Sequence, residues 1–311
     1  MAQPPRGLKA APVRAFAWFL LLIAAALAAI ALGTYPAWLL LHPHFDFPFH
    51  RIGERIGMLA LAVGFVLVAR HLKLADRTSL GYGLARALFV RELALGAALG
   101  VATMLAVVGV MAALGLLAMP DAAPAGGALA RLIGASAGSA VVVALIEETF
   151  LRGAMHTAIE RESGAAAAVL LTALVYAASH FLGSYHIAAQ QVSAGSGVEL
   201  LAGFARAFAQ PLGVADAFLA LFAVGVVLGG VRARTGNIAA CIGLHAGWVW
   251  VMLVAHGLAG PVRGAPLAFL LSRFDGFVGW LVLAWTALLA LPLWRFYAAR
   301  GARTQARTGR G

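Results

Sequence analysis

Val141-Val142-Val143-Ala144-Leu145-Ile146-Glu147-Glu148-Thr149-Phe150-Leu151-Arg152 ends an uncharged run with three charged side chains. From about residue 128 the preceding sequence is, Arg131 apart, apolar or small, long, and helical in composition. A charge at the centre of a membrane helix costs at least about 2.5–3.5 kcal/mol on insertion scales. A chain keeps such charges where they pair or carry function. The EExxxR cluster is therefore both the fold's main constraint and its best pointer to chemistry.

Working outward, the chain has 311 residues, of which 62% are hydrophobic and 11% charged. That balance excludes an ordinary soluble domain and predicts an all-α, polytopic integral membrane protein. The net charge of +11 raises nucleic acid as a partner. Basic residues also collect in the cytoplasmic loops of membrane proteins, and that is the preferred reading; no nucleic-acid partner is expected. The single Cys241 excludes an intrachain disulfide framework. The basic N-terminus and the apolar run after it resemble a signal peptide. The run is too long for one and lacks a clear cleavage site, so it reads as a first span.

A span needs about 20 apolar residues. Eight candidates emerge, at about 15–41, 56–72, 92–118, 128–161, 164–182, 215–233, 237–257 and 276–298. They are expected to surround an intramembrane cavity within a single membrane domain, 1–311. With the N-terminus in the cytoplasm, only Arg51, Arg55, Arg131, Arg206, Arg263 and Arg273 fall outside, leaving 17 of the 23 Lys and Arg inside. This bias favours eight spans in a cell's inner (plasma) membrane, with both termini cytoplasmic. Residues 1–13 and 300–311 read as disordered tails, the latter lying against anionic head groups. The connection 183–214 is long enough for a re-entrant or interfacial helix. Gly96/Gly100, Gly134/Gly138, Gly225/Gly229 and Gly243/Gly247 are GxxxG pairs that let helices approach closely.

The fourth and fifth spans form a hairpin with its turn near Ser163-Gly164. Glu147 lies 16 residues before Ser163 and His180 lies 17 after it. At 1.5 Å per residue both stand roughly 24–26 Å from the turn, at one height. His245 stands roughly 14 Å into the seventh span, counted from Gly236, and can reach the same level. Glu148 and Arg152, at i and i+4, share a face and can pair. Glu147 points about 100° away from Glu148, free to face a cavity. A buried glutamate with a raised pKa serves as general base or acid near neutral pH. Histidine shares proton work or donates to an oxyanion. This set suits activation of water for attack on an amide.

Glu147-Glu148-Thr149-Phe150-Leu151-Arg152-Gly153 resembles the first motif of the CAAX prenyl protease / bacteriocin-processing (CPBP, Abi) family of intramembrane glutamic endopeptidases. Tyr176-Ala177-Ala178-Ser179-His180 resembles the second, and Asn237 through His245-Ala246-Gly247-Trp248 the later histidine motif. The order and spacing of the three match, and the resemblance covers roughly 125–257, taken as the catalytic core. It implies that Glu147 activates water, that His180 assists, and that His245 helps form the oxyanion site. Glu148 and Arg152 would order the helix. The implied substrate is a membrane-associated peptide or protein. Where members often carry Asn four residues after the last His, this chain has Val249; the Trp248 indole is a candidate substitute donor.

Three alternatives stand beside this reading. An inactive scaffold or bacteriocin-immunity-type binding protein is motivated by Val249. A proton-coupled transporter using Glu147 as carrier is disfavoured, since the charges sit in one hairpin and no repeat is visible. A zinc site on Glu147, His180 and His245 lacks an HExxH motif, so no cofactor is expected. His42, His44, His50 and Asp46 form a second cluster; Phe45, Phe47, Phe49, Pro43 and Pro48 among them favour an interfacial loop over a metal site.

Overall fold

Among the described residues, seven helical stretches are long and apolar enough to cross a membrane. One of them, residues 126–179, has 54 residues, roughly 80 Å if straight. No bilayer needs that length. In the computed structural model, which describes residues 13–120, 124–182, 185–262 and 264–308, the stretch is broken at Gly164 (φ 83°, ψ 168°). Only glycine holds that backbone without strain, and the chain folds back there. The expected turn at Ser163-Gly164 is thus realised, and a helix overlaps each of the eight expected segments, with the third stretch ending at Ala113 and the last starting at Trp280.

The helices are α1 (Arg14–Leu41), α2 (Phe49–His71), α3 (Arg86–Ala113), α4 (Gly126–Glu148), α5 (His156–Ser179), α6 (Ser196–Phe204), α7 (Pro211–Thr235), α8 (Ala239–Leu258) and α9 (Trp280–Thr308). A π-helical segment, Thr149–Met155, joins α4 to α5. Two-residue strands β1 (Leu117–Ala118) and β2 (Gly260–Pro261) pair antiparallel and tie the ends of α3 and α8. The part of α5 beyond Gly164 rises only about 22 Å, less than a hydrocarbon core of ≈ 30 Å. The fifth segment is therefore shorter than the full span expected at 164–182. Residues 1–12 and 309–311 of the expected tails lie outside the described residues. Over 300–308 the backbone is helical rather than disordered. Arg300, which bonds Glu92 on α3, anchors the helix there.

Several contacts put one set of ends together. The Ala15 N–H donates to Glu162 beside the hairpin turn at 2.9 Å. Arg161, from the same turn, donates to the Lys73 carbonyl after α2 at 3.4 Å. The Ile238 N–H before α8 donates to the Gly81 carbonyl before α3 at 3.1 Å. Ser79 lies in the same loop, 72–85. Its hydroxyl and N–H hold the Asp76 carboxyl below the usual carboxylate range. This hairpin end gathers the basic residues that the sequence groups together.

Helix packing follows the glycine pairs. Gly96 and Gly100 on α3 face Gly243 and Gly247 on α8, with the two helices running parallel. Gly225 and Gly229 on α7 face Ala173 and Val169 on α5. Gly134 and Gly138 meet nothing within 4 Å. A β-carbon on Gly96 would lie 2.6 Å from the Ala240 carbonyl oxygen, a backbone atom that cannot rotate away. Gly96→Ala is therefore expected to cost about 1–3 kcal/mol and to lower the melting temperature in detergent. Gly134→Ala, in open space, is expected to be neutral or slightly stabilising.

The connection 183–214 does carry a helix, the short α6. Gly197 on α6 sits against the Ala31 carbonyl of α1, and Leu200 sits against Gly53 of α2. This cap lies toward the far ends of α1 and α2, away from the hairpin turn.

Candidate functional site

The hairpin and α7 set the height of the charged cluster. The Arg152 guanidinium lies 4.8 Å from the centre of the Tyr176 ring, so the two arms are level one turn from Glu148 and one turn from His180. Arg152 also donates to the Gly225 carbonyl at 3.3 Å. Gly153 is required here, because a β-carbon would stand 2.8 Å from the Leu80 carbonyl oxygen. Thr149 donates to the Leu145 carbonyl at 2.6 Å, and its hydroxyl meets that of Tyr82 at 2.6 Å. A widened π turn is a frequent mark of a functional site, and the sequence analysis did not foresee one.

Glu148 and Arg152 are fully buried, with 0% of each side chain exposed. Arg152 Nη1 donates to Glu148 Oε1 at 2.8 Å. The same oxygen receives His245 Nδ1 at 2.8 Å. Glu148 thus does more than order its own helix: it fixes an imidazole from α8. With Nδ1 engaged by the Glu148 carboxyl, Nε2 is the ring nitrogen left to face the rest of the cluster. Nε2 faces Glu147 Oε2 at 3.9 Å. Glu147 has 32% of its side chain exposed, and its Oε2 has no hydrogen-bond partner within the protein.

His180 caps α5 and holds Nδ1 2.7 Å from the Tyr176 carbonyl. Tyr176 stands between the two histidines, its ring centre 4.5 Å from His180 and 5.7 Å from His245. Both histidines line a cavity of about 260 Å³. Its walls are largely apolar and include Val224, Val227, Met252 and Val282. Val249 and Trp248 line it as well. The Trp248 indole N–H is committed to the Thr103 hydroxyl at 2.9 Å, which removes the donor that the sequence suggested in place of Asn.

Sequence reasoning missed Arg232 and His156. Arg232, 5% exposed, has its Nε on the Arg152 carbonyl at 2.9 Å and its Nη2 on the Thr157 hydroxyl at 3.1 Å. Its place in a stretch reading Gly229-Gly230-Val231-Arg232 is the available signal. The second histidine cluster is dispersed: His50 packs on His186 at 4.0 Å between ring centres, and His42 stacks on Trp38 at 4.4 Å. Among the described residues, no group of three His, Cys, Asp or Glu side chains is placed to hold a metal ion.

A multi-pass helical membrane protein with paired glutamates and two histidines at one depth defines the class. Residues 129–251 match the family described as type II CAAX prenyl endopeptidase Rce1-like. Over that stretch, about two fifths of the chain, the sequence is similar to that family of membrane-embedded endopeptidases. No curated protein and no solved structure matches the chain.

Proposed function

We propose that this chain is an intramembrane endopeptidase that hydrolyses a peptide bond of a membrane-associated protein or peptide, with Glu147 as the base. The observation that carries this reading is the 3.9 Å gap between Glu147 Oε2 and His245 Nε2, beside an apolar cavity. It is too long for a direct hydrogen bond and leaves both atoms free for a bridging water. Glu147 takes a proton from that water as its oxygen attacks the carbonyl carbon. His245, its Nδ1–H held by Glu148, donates from Nε2 to the developing oxyanion as the doubly protonated imidazolium. His180 assists from the other side of Tyr176. The proton held by Glu147 passes to the leaving nitrogen, and the products are a carboxylic acid and an amine. The hairpin end, rich in Lys and Arg, is the cytoplasmic end on this reading, with both chain termini on that side.

The test compares protein termini in membranes carrying wild type or Glu147→Gln. New termini that depend on wild type are expected. Identical termini at equal abundance, with the substrates expressed, would favour the second reading, a non-catalytic scaffold. That reading has one observation behind it: Val249 and the committed Trp248 indole leave the oxyanion one donor short. Val249→Asn is accordingly expected to raise turnover by about tenfold or more, since a well-placed donor is worth roughly 10²–10³. An unchanged rate would mean that the oxyanion is held elsewhere.

A further inference from the structure

Glu148, Arg152, His156 and Glu160 follow one another at four-residue steps through the π segment into α5. The first three are fully buried, while Glu160 has 37% of its side chain exposed near the hairpin turn. His156 Nε2 is 3.8 Å from Glu160 Oε2. Neither nitrogen of His156 has a hydrogen bond within the protein, and Arg152 Nε, Glu148 Oε2 and Glu147 Oε2 are unpartnered too. These five atoms share one short stretch, 147–156. Native interiors leave few such groups, and buried charged ones are costly.

Charge restricts what can lie between them. Glu147, Glu148, Arg152 and Arg232 sum to zero, with both arginines close to His156. As a neutral imidazole between these arginines and Glu160, His156 offers one donor and one acceptor nitrogen. From Glu160 inward the free groups run acceptor, imidazole, guanidinium donor, then two carboxylate acceptors. Such a sequence is satisfied by water molecules that each make two to four bonds.

We propose that water reaches Glu147 along this face, from the hairpin end past Glu160, His156 and Arg152. The inference rests on the hydrolytic reading for its purpose. Each turnover consumes one water, and the apolar cavity on the other side of His245 is poorly suited to deliver it. Peptide and water then reach the reaction from different sides. His156 is a positioning residue on this account and touches no substrate.

The experiment uses thiol accessibility in a Cys241→Ala background. His156→Cys is treated with a small impermeant methanethiosulfonate applied to the hairpin face of sealed membranes. Met155→Cys, equally buried but in an apolar cluster, is the dry comparison. Reaction at 156 at least about tenfold faster than at 155, slowed by Glu160→Leu, is expected. Equal protection at both positions in folded protein overturns the path. Should His156→Cys fail to fold, deuterium uptake at the imidazole of His156 in the unmodified protein decides. Uptake supports the path, and a ring that stays unlabelled when exposed His44 is fully exchanged overturns it. Neither readout requires cleavage. A wet His156 in a protein that cuts nothing would sink the protease reading alone, and a dry His156 in an active enzyme would sink the path alone.

Discussion

Glu147→Gln is expected to lower kcat by about 10²–10⁴, the usual contribution of a positioned general base, with KM nearly unchanged. The amide keeps the shape and the hydrogen-bonding oxygen of the carboxylate but accepts no proton. The fold is expected to survive, because Glu147 makes no hydrogen bond that holds the helices together and its side chain is already a third exposed. Single-turnover cleavage of an identified substrate, alongside a melting curve in the same detergent, separates the two effects. A Gln variant that retains more than a tenth of the rate would remove Glu147 from the chemistry. The neighbouring His245 would then be the base, with Glu148 in the carboxylate's supporting role.

Much of this site was legible in the sequence because its logic is one-dimensional. Helical rise converts residue number into depth, so Glu147 and His180 could be put level from the turn at Gly164 alone. Spacing of four paired Glu148 with Arg152. The glycine pairs on α3, α7 and α8 announced close contacts, although Gly134/Gly138 has the same spelling and faces nothing in this molecule.

What was not legible depends on rotation about helix axes and on partners distant in sequence. Glu148 rather than Glu147 takes the direct bond to His245, and that depends on how α4 and α8 are turned about their axes. The π segment changes the phase of every residue after Glu148, and no composition signals it. Nothing in the spacing marks His156 as buried, since Glu160, Arg161 and Glu162 follow it closely. Packing of α7 against both hairpin arms covers it. The helix expected at 164–182 ends at Ser179 for another reason. Hydropathy measures whether a segment tolerates lipid, and the apolar residues after Ser179 satisfy that test without continuing the helix.

Glu148→Ala is expected to be the most damaging single change to stability, costing about 3–5 kcal/mol. Removing one member of a buried ion pair leaves the other charge unpaired in a low-dielectric interior. Arg152 would keep only the Gly225 carbonyl and the Tyr176 ring, and His245 would lose the bond on its Nδ1. Activity should fall with stability, because the imidazole is then free to turn away from Glu147. Arg152→Met alone should be similarly severe, since it strands the Glu148 carboxylate. The double variant Glu148→Leu/Arg152→Met is expected to recover much of the lost stability, as apolar replacements of buried pairs commonly do, while remaining inactive. Melting temperature and cleavage rate across the four proteins of the cycle distinguish two roles. If the pair only braced the helix, the double variant would regain activity along with stability. If Glu148 orients His245, stability returns and catalysis does not, because no carboxylate remains to hold Nδ1 and aim Nε2 at the water.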